Sequence, residues 1–184
     1  MTLDEIFAAR HSVRAYTDTP IPREHILAMM NAARAAPSAS NSQTWRFIAV
    51  TDPEIRARIC SEGMMPVVRN RFLREAPCII VGCAKLDFIT NKFASGVTGI
   101  EYYQIDMGIA LEHLVLKATE LGLGTCWIGW FKEDHVKEIL GIPQKVRVLA
   151  LIAVGYSNEK KAAPRSRKPL HTLARENQWE NPLE

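Results

Sequence analysis

The sequence predicts an α+β domain in which a central β-sheet is covered by helices on both faces. Near-continuous apolar runs, of which residues 146–154 are the longest, indicate strands that are buried on both sides. Residues 100–121 form the longest predicted helix, and apolar side chains occur almost all round it, so we expect it to be a buried central helix. The 184 residues fit one domain, and no repeat or linker divides 1–184.

Local patterns predict the elements in chain order. Apolar residues at helical spacing predict helices over 3–10 and 23–35. Asp52 and Pro53 form a helix start, and Gly63 ends that helix. The remaining predicted strands are 47–50, 78–84 and 125–131; a further helix spans 132–140, and the tail has helical character over 172–179.

Composition excludes several classes of function. A formal net charge of +3 is too small to indicate a nucleic-acid-binding protein. The long helix carries Asp106, Glu112 and Lys117, which argues against a membrane span, and the acidic start of the chain lacks a signal-peptide pattern. The four cysteines show no metal-ligand spacing, so we expect no metal site. Three of them lie in apolar strand-like runs, and we expect these to be small buried side chains in a reducing cytoplasm. These three are Cys78, Cys83 and Cys126, and the fourth is Cys60.

A polar loop precedes the first predicted strand. Pro37 ends the preceding helix, because proline disfavours the α conformation of the residue before it. The short polar side chains that follow can bond either the backbone or a ligand. A loop of this kind at the mouth of a strand can bind a planar polar ligand, although a simple serine-rich turn is the alternative. Its candidate binding residues are Pro37, Ser38, Ala39, Ser40, Asn41 and Gln43.

A basic segment lies upstream of this loop. Arg10, Ser12 and Arg14 stand at alternating positions, so an extended backbone directs them to one side, and His11 lies among them. Guanidinium groups and a hydroxyl together suit a phosphate or a carboxylate. The alternative is a solvated basic turn after a short helix.

The two segments together resemble the FMN-dependent nitroreductase family. The matches are Arg10, Ser12, Arg14 and Tyr16, followed by Pro37, Ser38, Asn41, Gln43 and Trp45. A glycine-containing segment, 122–129, then follows the long helix as it does in the family. The resemblance covers nearly the whole chain in the family's order, and Thr44 departs from it where proline is usual.

The resemblance implies the nitroreductase-like fold, with a mixed sheet of four to five strands, and a bound FMN. Arg10 and Arg167, with Arg165 as a second C-terminal arginine, would meet the phosphate, and Arg14 would lie at the N1/O2 edge of the ring. Asn41 and Gln43 would bond the pyrimidine edge. The backbone of Trp127, Ile128 and Gly129 would reach N5. The alternative role for Trp127 and Trp130 is packing within a strand, and we expect at least one of these two side chains to have that role.

The resemblance also implies the reaction and the assembly. NADH or NADPH would bind transiently and give hydride to the flavin, which would reduce a nitroaromatic, a quinone or a related small-molecule acceptor in a ping-pong cycle. No catalytic side chain is required, because the flavin carries the redox step. The chain would form a homodimer with FMN sites at the subunit interface. The length and irregular pattern of residues 85–99, apart from the resemblance, predict a functional loop that forms part of the substrate wall.

Two alternatives remain open at this point. One is another reaction on the same flavin, such as dehalogenation, ring oxidation or flavin fragmentation. The other is a non-catalytic redox module in which Phe88, Phe93 and Trp130 cover the ring.

Overall fold

Four antiparallel strands form the centre of the fold. The computed structural model describes residues 1–66, 70–86, 99–159 and 166–183. The strand order is β1-β2-β4-β3, so β1 and β3 lie at opposite edges of the sheet. All three pairings are antiparallel, and within the described residues the parallel component of the predicted mixed sheet is a single bridge from Ser12 to Thr125. The strands are β1 (Trp45–Val50), β2 (Cys78–Lys85), β3 (Gly124–Ile128) and β4 (Val146–Gly155).

The helices begin and end at residues that satisfy their terminal backbone groups. Thr2 and Glu5 form a capping box on the first helix. The Asp52 carboxylate accepts from the N–H groups of Glu54 and Ile55, and Gly141 ends a later helix in the left-handed conformation. The helices are α1 (Leu3–Ala9), α2 (Arg23–Arg34), α3 (Pro53–Glu62), α4 (Tyr102–Glu120), α5 (Glu133–Leu140) and α6 (Leu170–Leu173), with short 3₁₀ turns at Ala39–Asn41 and Arg71–Arg74.

Two hydrophobic layers lie on the two faces of the sheet. On one face α2 and α4 pack against alternate strand residues such as Ile80 and Ile152. On the other face α3 and α5 pack against the intervening residues, such as Val81 and Leu151. Strands β2 and β4 therefore need apolar side chains at consecutive positions, which explains the near-continuous apolar runs in their sequences. The predicted α+β fold with helices on both faces is confirmed.

Helix α4 lies close to the sheet. A Cβ atom added at Gly82 of β2 would come within 2.9 Å of the Leu111 side chain and 3.1 Å of the Met107 sulfur. The outer face of α4 is less enclosed, because Ile105 keeps 52% of its surface exposed and both Ile109 and Leu116 are half-buried. The prediction of a buried central helix is correct for the sheet-facing side, while an apolar stripe remains partly open on the other.

Three cysteines behave as the composition predicts. Cys78, Cys83 and Cys126 are buried. Burial raises the pKa of the Cys78 thiol to about 12 and that of Cys83 to about 11. Both thiols are therefore protonated at neutral pH and serve as small apolar side chains.

Some predicted boundaries and one packing inference are wrong. Strand β3 ends at Ile128, because the chain leaves the edge of the sheet there and Phe131 instead forms an isolated bridge with Met64. Trp127 and Trp130 are 39% and 56% exposed, so strand packing accounts for neither. The tail forms one helical turn, α6, rather than a helix over 172–179; its residues are nearly all exposed, so no packed apolar face stabilises a longer helix.

Candidate functional site

The basic segment 10–14 runs along the open edge of β3. Arg10 ends α1, where its N–H donates to the Ile6 carbonyl at 2.9 Å. Val13 is buried, and its N–H donates to the Thr125 carbonyl at 2.9 Å. A Cβ atom at Gly124 would lie 2.6 Å from the Val13 side chain, so glycine is required for this approach. Because Val13 faces the core, the alternating side chains of Ser12 and Arg14 are directed away from it.

A carboxylate of the same chain already contacts this segment. The Arg14 backbone N–H donates to Glu159 Oε1 at 3.0 Å, and His11 Nε2 lies 3.9 Å from Glu159 Oε2. Ser157 fixes this arrangement, since its hydroxyl accepts from the Glu159 N–H at 3.0 Å and donates to the Ala15 carbonyl at 2.6 Å. The segment therefore presents donors that an anion can use.

Helix α4 contributes a second carboxylate to this region. Glu112 is half-buried on the outer face of α4. Partial burial raises the pKa of its carboxyl, while the charge of Arg10 and a hydrogen bond from the Trp127 side chain act in the opposite direction. Glu112 therefore lies near both Arg10 of the basic segment and Trp127 near the end of β3. The same end of β3 carries Ile128, which is buried, and Gly129, which is exposed.

The polar loop lies beside β1 at the opposite edge of the sheet. Its 3₁₀ turn is closed by bonds from the Asn41 N–H to the Ser38 carbonyl at 2.9 Å and from the Gln43 N–H to Ser38 Oγ at 3.1 Å. The side chains of Asn41 and Gln43 are joined by a 3.0 Å hydrogen bond and are exposed. Ser40, Asn41 and Gln43 have positive φ angles of 53°, 52° and 45°. A loop this constrained presents its amide groups in a fixed geometry.

Two cavities lie on the β3 side of the candidate site. One, of about 370 Å³, lies between α4 and the end of β3. A Cβ atom at Gly108 or Gly129 would meet no atom within 4 Å, so both glycines border open space there. The second cavity, of about 150 Å³, lies beside Arg10, His11 and Glu159. The larger cavity is lined by Gln104, Met107, Gly108, Trp127, Gly129, Phe131, Glu133, Arg147, Val148, Leu149 and Ala150.

The structure brings some predicted site residues together and separates others. Residues 10–14 and 127–129 share the β3 edge, whereas 37–43 lie at the β1 edge, about 14 Å away at ordinary strand spacing. In the described ranges no hydrogen bond or ion pair joins residues 10–14 to 37–43. Arg167 is exposed and donates to the Ser166 carbonyl at 3.3 Å, and Arg165 lies outside the described residues.

Comparison with known proteins decides the family. The sequence model of the nitroreductase family matches residues 7–62 and 60–156. The chain belongs to the nitroreductase family. A nitroreductase-family relative from Archaeoglobus fulgidus, which carries the provisional name NADH dehydrogenase/NAD(P)H nitroreductase, is 34% identical over 156 residues, 83% of each chain.

Solved structures of nitroreductases share the fold. An FMN-dependent nitroreductase from Clostridium difficile R20291 is 29% identical, with a TM-score of 0.79 over 95% of this chain and 98% of that one. The NADPH:FMN oxidoreductase from Vibrio harveyi, solved as a complex with NAD⁺, is 25% identical, with a TM-score of 0.79 over 96% of this chain and 77% of that one. The predicted resemblance, fold and oxidoreductase class are confirmed at the level of the nitroreductase family.

Sequence reasoning missed several residues around the candidate site of this nitroreductase-family chain. Asp106 and Glu112 served only as evidence against a membrane span, and neither Glu159 nor the clearance at Gly124 was foreseen. A charged residue inside an otherwise apolar helix is the signal that was available, because Asp and Glu are rarely buried without a partner.

Proposed function

We propose that the protein is an FMN-dependent oxidoreductase that takes hydride from NADH or NADPH and passes it to a nitroaromatic, a quinone or a related acceptor in a ping-pong cycle. The observation that carries this proposal is the basic segment 10–14, which the β3 edge holds in an extended conformation. Val13 faces the core, so the side-chain donors of Ser12 and Arg14 are directed away from it, toward an anion. Family membership supports the reaction class.

The donors present fit the two chemically different ends of FMN. Arg10, Ser12 and Arg14 suit the phosphate or the adjacent polar edge of the ring, because guanidinium groups form strong bonds to anions. His11 Nε2 is buried, has no hydrogen-bond partner among the described residues and lies 3.9 Å from Glu159 Oε2, so His11 contributes a polar atom beside this part of the site. Arg167, and Arg165 by the family pattern, would add charge. Asn41 and Gln43 supply amide donors and acceptors for the ring.

Each part of the site has a distinct task in this proposal. The basic segment holds the phosphate, and the amides of the loop fix the orientation of the ring. The backbone around Gly129 approaches the ring closely, which a residue without a side chain permits. Bound FMN supplies hydride acceptance and donation. The residues proposed to bind it are Arg10, His11, Ser12, Arg14, Pro37, Ser38, Ala39, Ser40, Asn41, Gln43, Trp127, Ile128, Gly129, Arg165 and Arg167.

One cavity next to Gly129 supports the ping-pong order. Its volume of about 370 Å³ is within the range of small-molecule sites. We propose that the nicotinamide and the acceptor use this space in turn, so that the first must leave before the second binds. The predicted contribution of residues 85–99 to its wall stays a prediction, because 87–98 lie outside the described residues. The same applies to the covered-ring alternative, since Phe88 and Phe93 fall in that range.

We further propose a homodimer in which residues 10–14 of one subunit and 37–43 of the other build each FMN site. The partly open stripe of Ile105, Ile109, Glu112 and Leu116 recurs every three or four residues along α4, the spacing of a helix-packing face. A two-fold dimer would bury this stripe symmetrically and bring opposite sheet edges of two subunits together. We propose that residues 1–184 act as one FMN-binding domain. In the described ranges none of the helices combines the length and apolarity of a bilayer span, and cytoplasmic location stays a prediction.

Reconstitution and kinetics test the proposed function. The purified protein is loaded with FMN, and oxidation of NADH and NADPH is followed under argon with nitroaromatic and quinone acceptors. We expect turnover, with parallel lines in double-reciprocal plots that indicate ping-pong kinetics. Repeating the assay in air measures oxygen as a competing acceptor. A flavin-loaded protein that oxidises neither nicotinamide, with any acceptor, would refute the catalytic proposal.

A further inference from the structure

The polar loop adopts a conformation that its sequence does not favour. Ser40, Asn41 and Gln43 all have positive φ angles although none is glycine. A left-handed backbone costs most L-residues, including Ser40 and Gln43, on the order of 1–2 kcal/mol, whereas asparagine tolerates it better. Such strain persists only where the surrounding structure holds the backbone in place.

One hydrogen bond attaches the loop to a distant part of the fold. The Ala39 N–H donates to Asp106 Oδ1 on α4 at 3.0 Å. The other hydrogen bonds of residues 38–41, within the described part of the chain, stay inside the loop. These local bonds define the shape of the turn, and the bond to Asp106 attaches its first residue to α4. The other end of the loop is attached to β1, where the Gln43 carbonyl accepts from the Arg46 side chain at 3.1 Å.

Asp106 is a costly residue at its position. It lies inside α4, is 4% exposed, and has the buried Tyr103, Met107 and Ala110 beside it on the helix. Its Oδ2 is buried without a hydrogen-bond partner among the described residues. Aspartate is a poor helix former and is rarely buried without a partner, so an apolar residue would serve the core better. A local rule broken in this way is typical of a functional constraint.

We propose that Asp106 is a positioning residue that holds the loop so that Asn41 and Gln43 meet the flavin ring. The inference rests on the proposed FMN site and adds a residue outside its motifs. Asp106 acts through the Ala39 N–H and does not touch the cofactor. Its loss therefore affects the ring end of the ligand and leaves the phosphate end unchanged.

Two variants remove the bond from opposite sides. Asp106→Ala deletes the acceptor, and Ala39→Pro deletes the donor N–H while leaving the carboxylate. Proline is compatible with this position, because Ser38 has the extended conformation that precedes proline (φ −142°, ψ 152°) and residue 39 is the first of a 3₁₀ turn. Asp106→Asn keeps an acceptor oxygen and serves as the conservative control.

Affinities for FMN and riboflavin, measured by fluorescence titration, separate the two ends of the site. We expect Asp106→Ala and Ala39→Pro each to weaken the binding of FMN and of riboflavin about tenfold, the scale of one lost bond to a charged group. FMN and riboflavin share the ring, and only FMN has the phosphate. A defect confined to the ring end therefore leaves the ratio of the two affinities as in the wild type. Asp106→Asn should restore most of the affinity, whereas a purely structural role would lower the thermal midpoint without changing either affinity.

The outcomes are distinguishable. If the wild type binds both flavins and neither Ala39→Pro nor Asp106→Ala weakens riboflavin, the inference is wrong and the proposed function stands. If Asp106→Ala does not fold, Ala39→Pro and Asp106→Asn still decide the question. A wild-type protein that binds neither flavin overturns the proposed function, and this inference with it.

Discussion

The two polar segments of the candidate site are held in different ways. Residues 10–14 lie on the β3 edge through backbone bonds to Thr125 and through the clearance at Gly124. Residues 38–43 lie at the β1 edge in a strained turn, and a buried carboxylate on α4 accepts a hydrogen bond from the Ala39 N–H at the start of this turn. The first segment carries charge, and the second carries amides.

This difference matches what each segment has to recognise. A phosphate is compact and highly charged, so flexible guanidinium groups can reach it from an extended backbone. A planar ring offers donors and acceptors along one edge, and amides must be placed accurately to read them. Rigid placement explains why the amide segment keeps strain that the basic segment avoids.

Mixed dimers test the assignment of the two segments to different subunits. Arg14→Ala and Asn41→Ala are each expected to be inactive. In a mixed dimer one site collects both lesions and the other none, so about half of the wild-type activity should return. Two affinity tags isolate the mixed species for assay of NAD(P)H oxidation.

A matched dimer reverses this expectation. When one subunit carries both substitutions and the other is wild type, a shared site predicts one lesion in every site and no activity. If each site were built within one chain, this dimer would keep about half of the activity and the first mixed dimer would have none. That pattern would end the shared-site model.

Removal of a phosphate-binding cation should distinguish the role of the basic segment from that of the loop, because it should affect FMN and not riboflavin. We expect Arg10→Ala and Arg167→Ala each to weaken FMN binding by about 1.5–3 kcal/mol, the range for hydrogen bonds to charged groups. Riboflavin binding should not change. Equilibrium dialysis measures both ligands, and Arg58→Ala on the exposed face of α3 serves as the control. Unchanged FMN affinity in both variants would contradict the phosphate assignment.

A side chain at position 124 should displace the basic segment, because Val13 packs directly against Gly124. Gly124→Ala places a Cβ atom against Val13 and should destabilise the protein by about 1–3 kcal/mol, the usual cost of overpacking. Chemical denaturation at a fixed protein concentration gives the free energy of unfolding. Gly108→Ala is the control: its Cβ meets open space in a helix interior, so we expect stabilisation by up to about 1 kcal/mol. Equal effects of the two substitutions would show that the contact with Val13 is unimportant.

The smallest expected effect concerns the carboxylate that contacts the basic segment. Glu159→Gln keeps an acceptor for the Arg14 N–H but removes a negative charge near the proposed phosphate site. Because Glu159 is partly exposed, solvent weakens its repulsion of the phosphate, and the substitution should tighten FMN binding by only about 0.5 kcal/mol. Isothermal titration with FMN and riboflavin measures this, and Glu62→Gln is the remote control. Weaker FMN binding would mean that Glu159 mainly orders the segment.

Most elements of the fold could be predicted because their signals are local. Asp52 and Pro53 start α3, and Gly141 ends α5, as their backbone preferences require. Strand order and pairing could not be predicted from these patterns, because they depend on contacts between distant residues. The tail was predicted incorrectly because helical propensity without a packed face does not stabilise a helix.

The candidate site was predictable only where residues adjoin in sequence. Segments 10–14 and 37–43 are each visible as motifs, and their assignment to FMN remains a proposal. The contributions of Asp106, Glu112 and Glu159 depend on tertiary contacts, since each meets a residue more than 60 positions or a whole element away. No periodicity in the chain encodes those contacts.

The position of the basic segment has a consequence for solubility. Strand β3 is an edge strand of the sheet, and an uncovered strand edge can pair with another chain and start aggregation. Ser12 and Val13 occupy part of that edge through the bridge to Thr125. Removing residues 1–14 should therefore expose a pairing surface as well as delete the cations, and light scattering should detect self-association. The segment that we propose for cofactor binding therefore also covers part of the β3 edge, where another copy of the chain could otherwise pair.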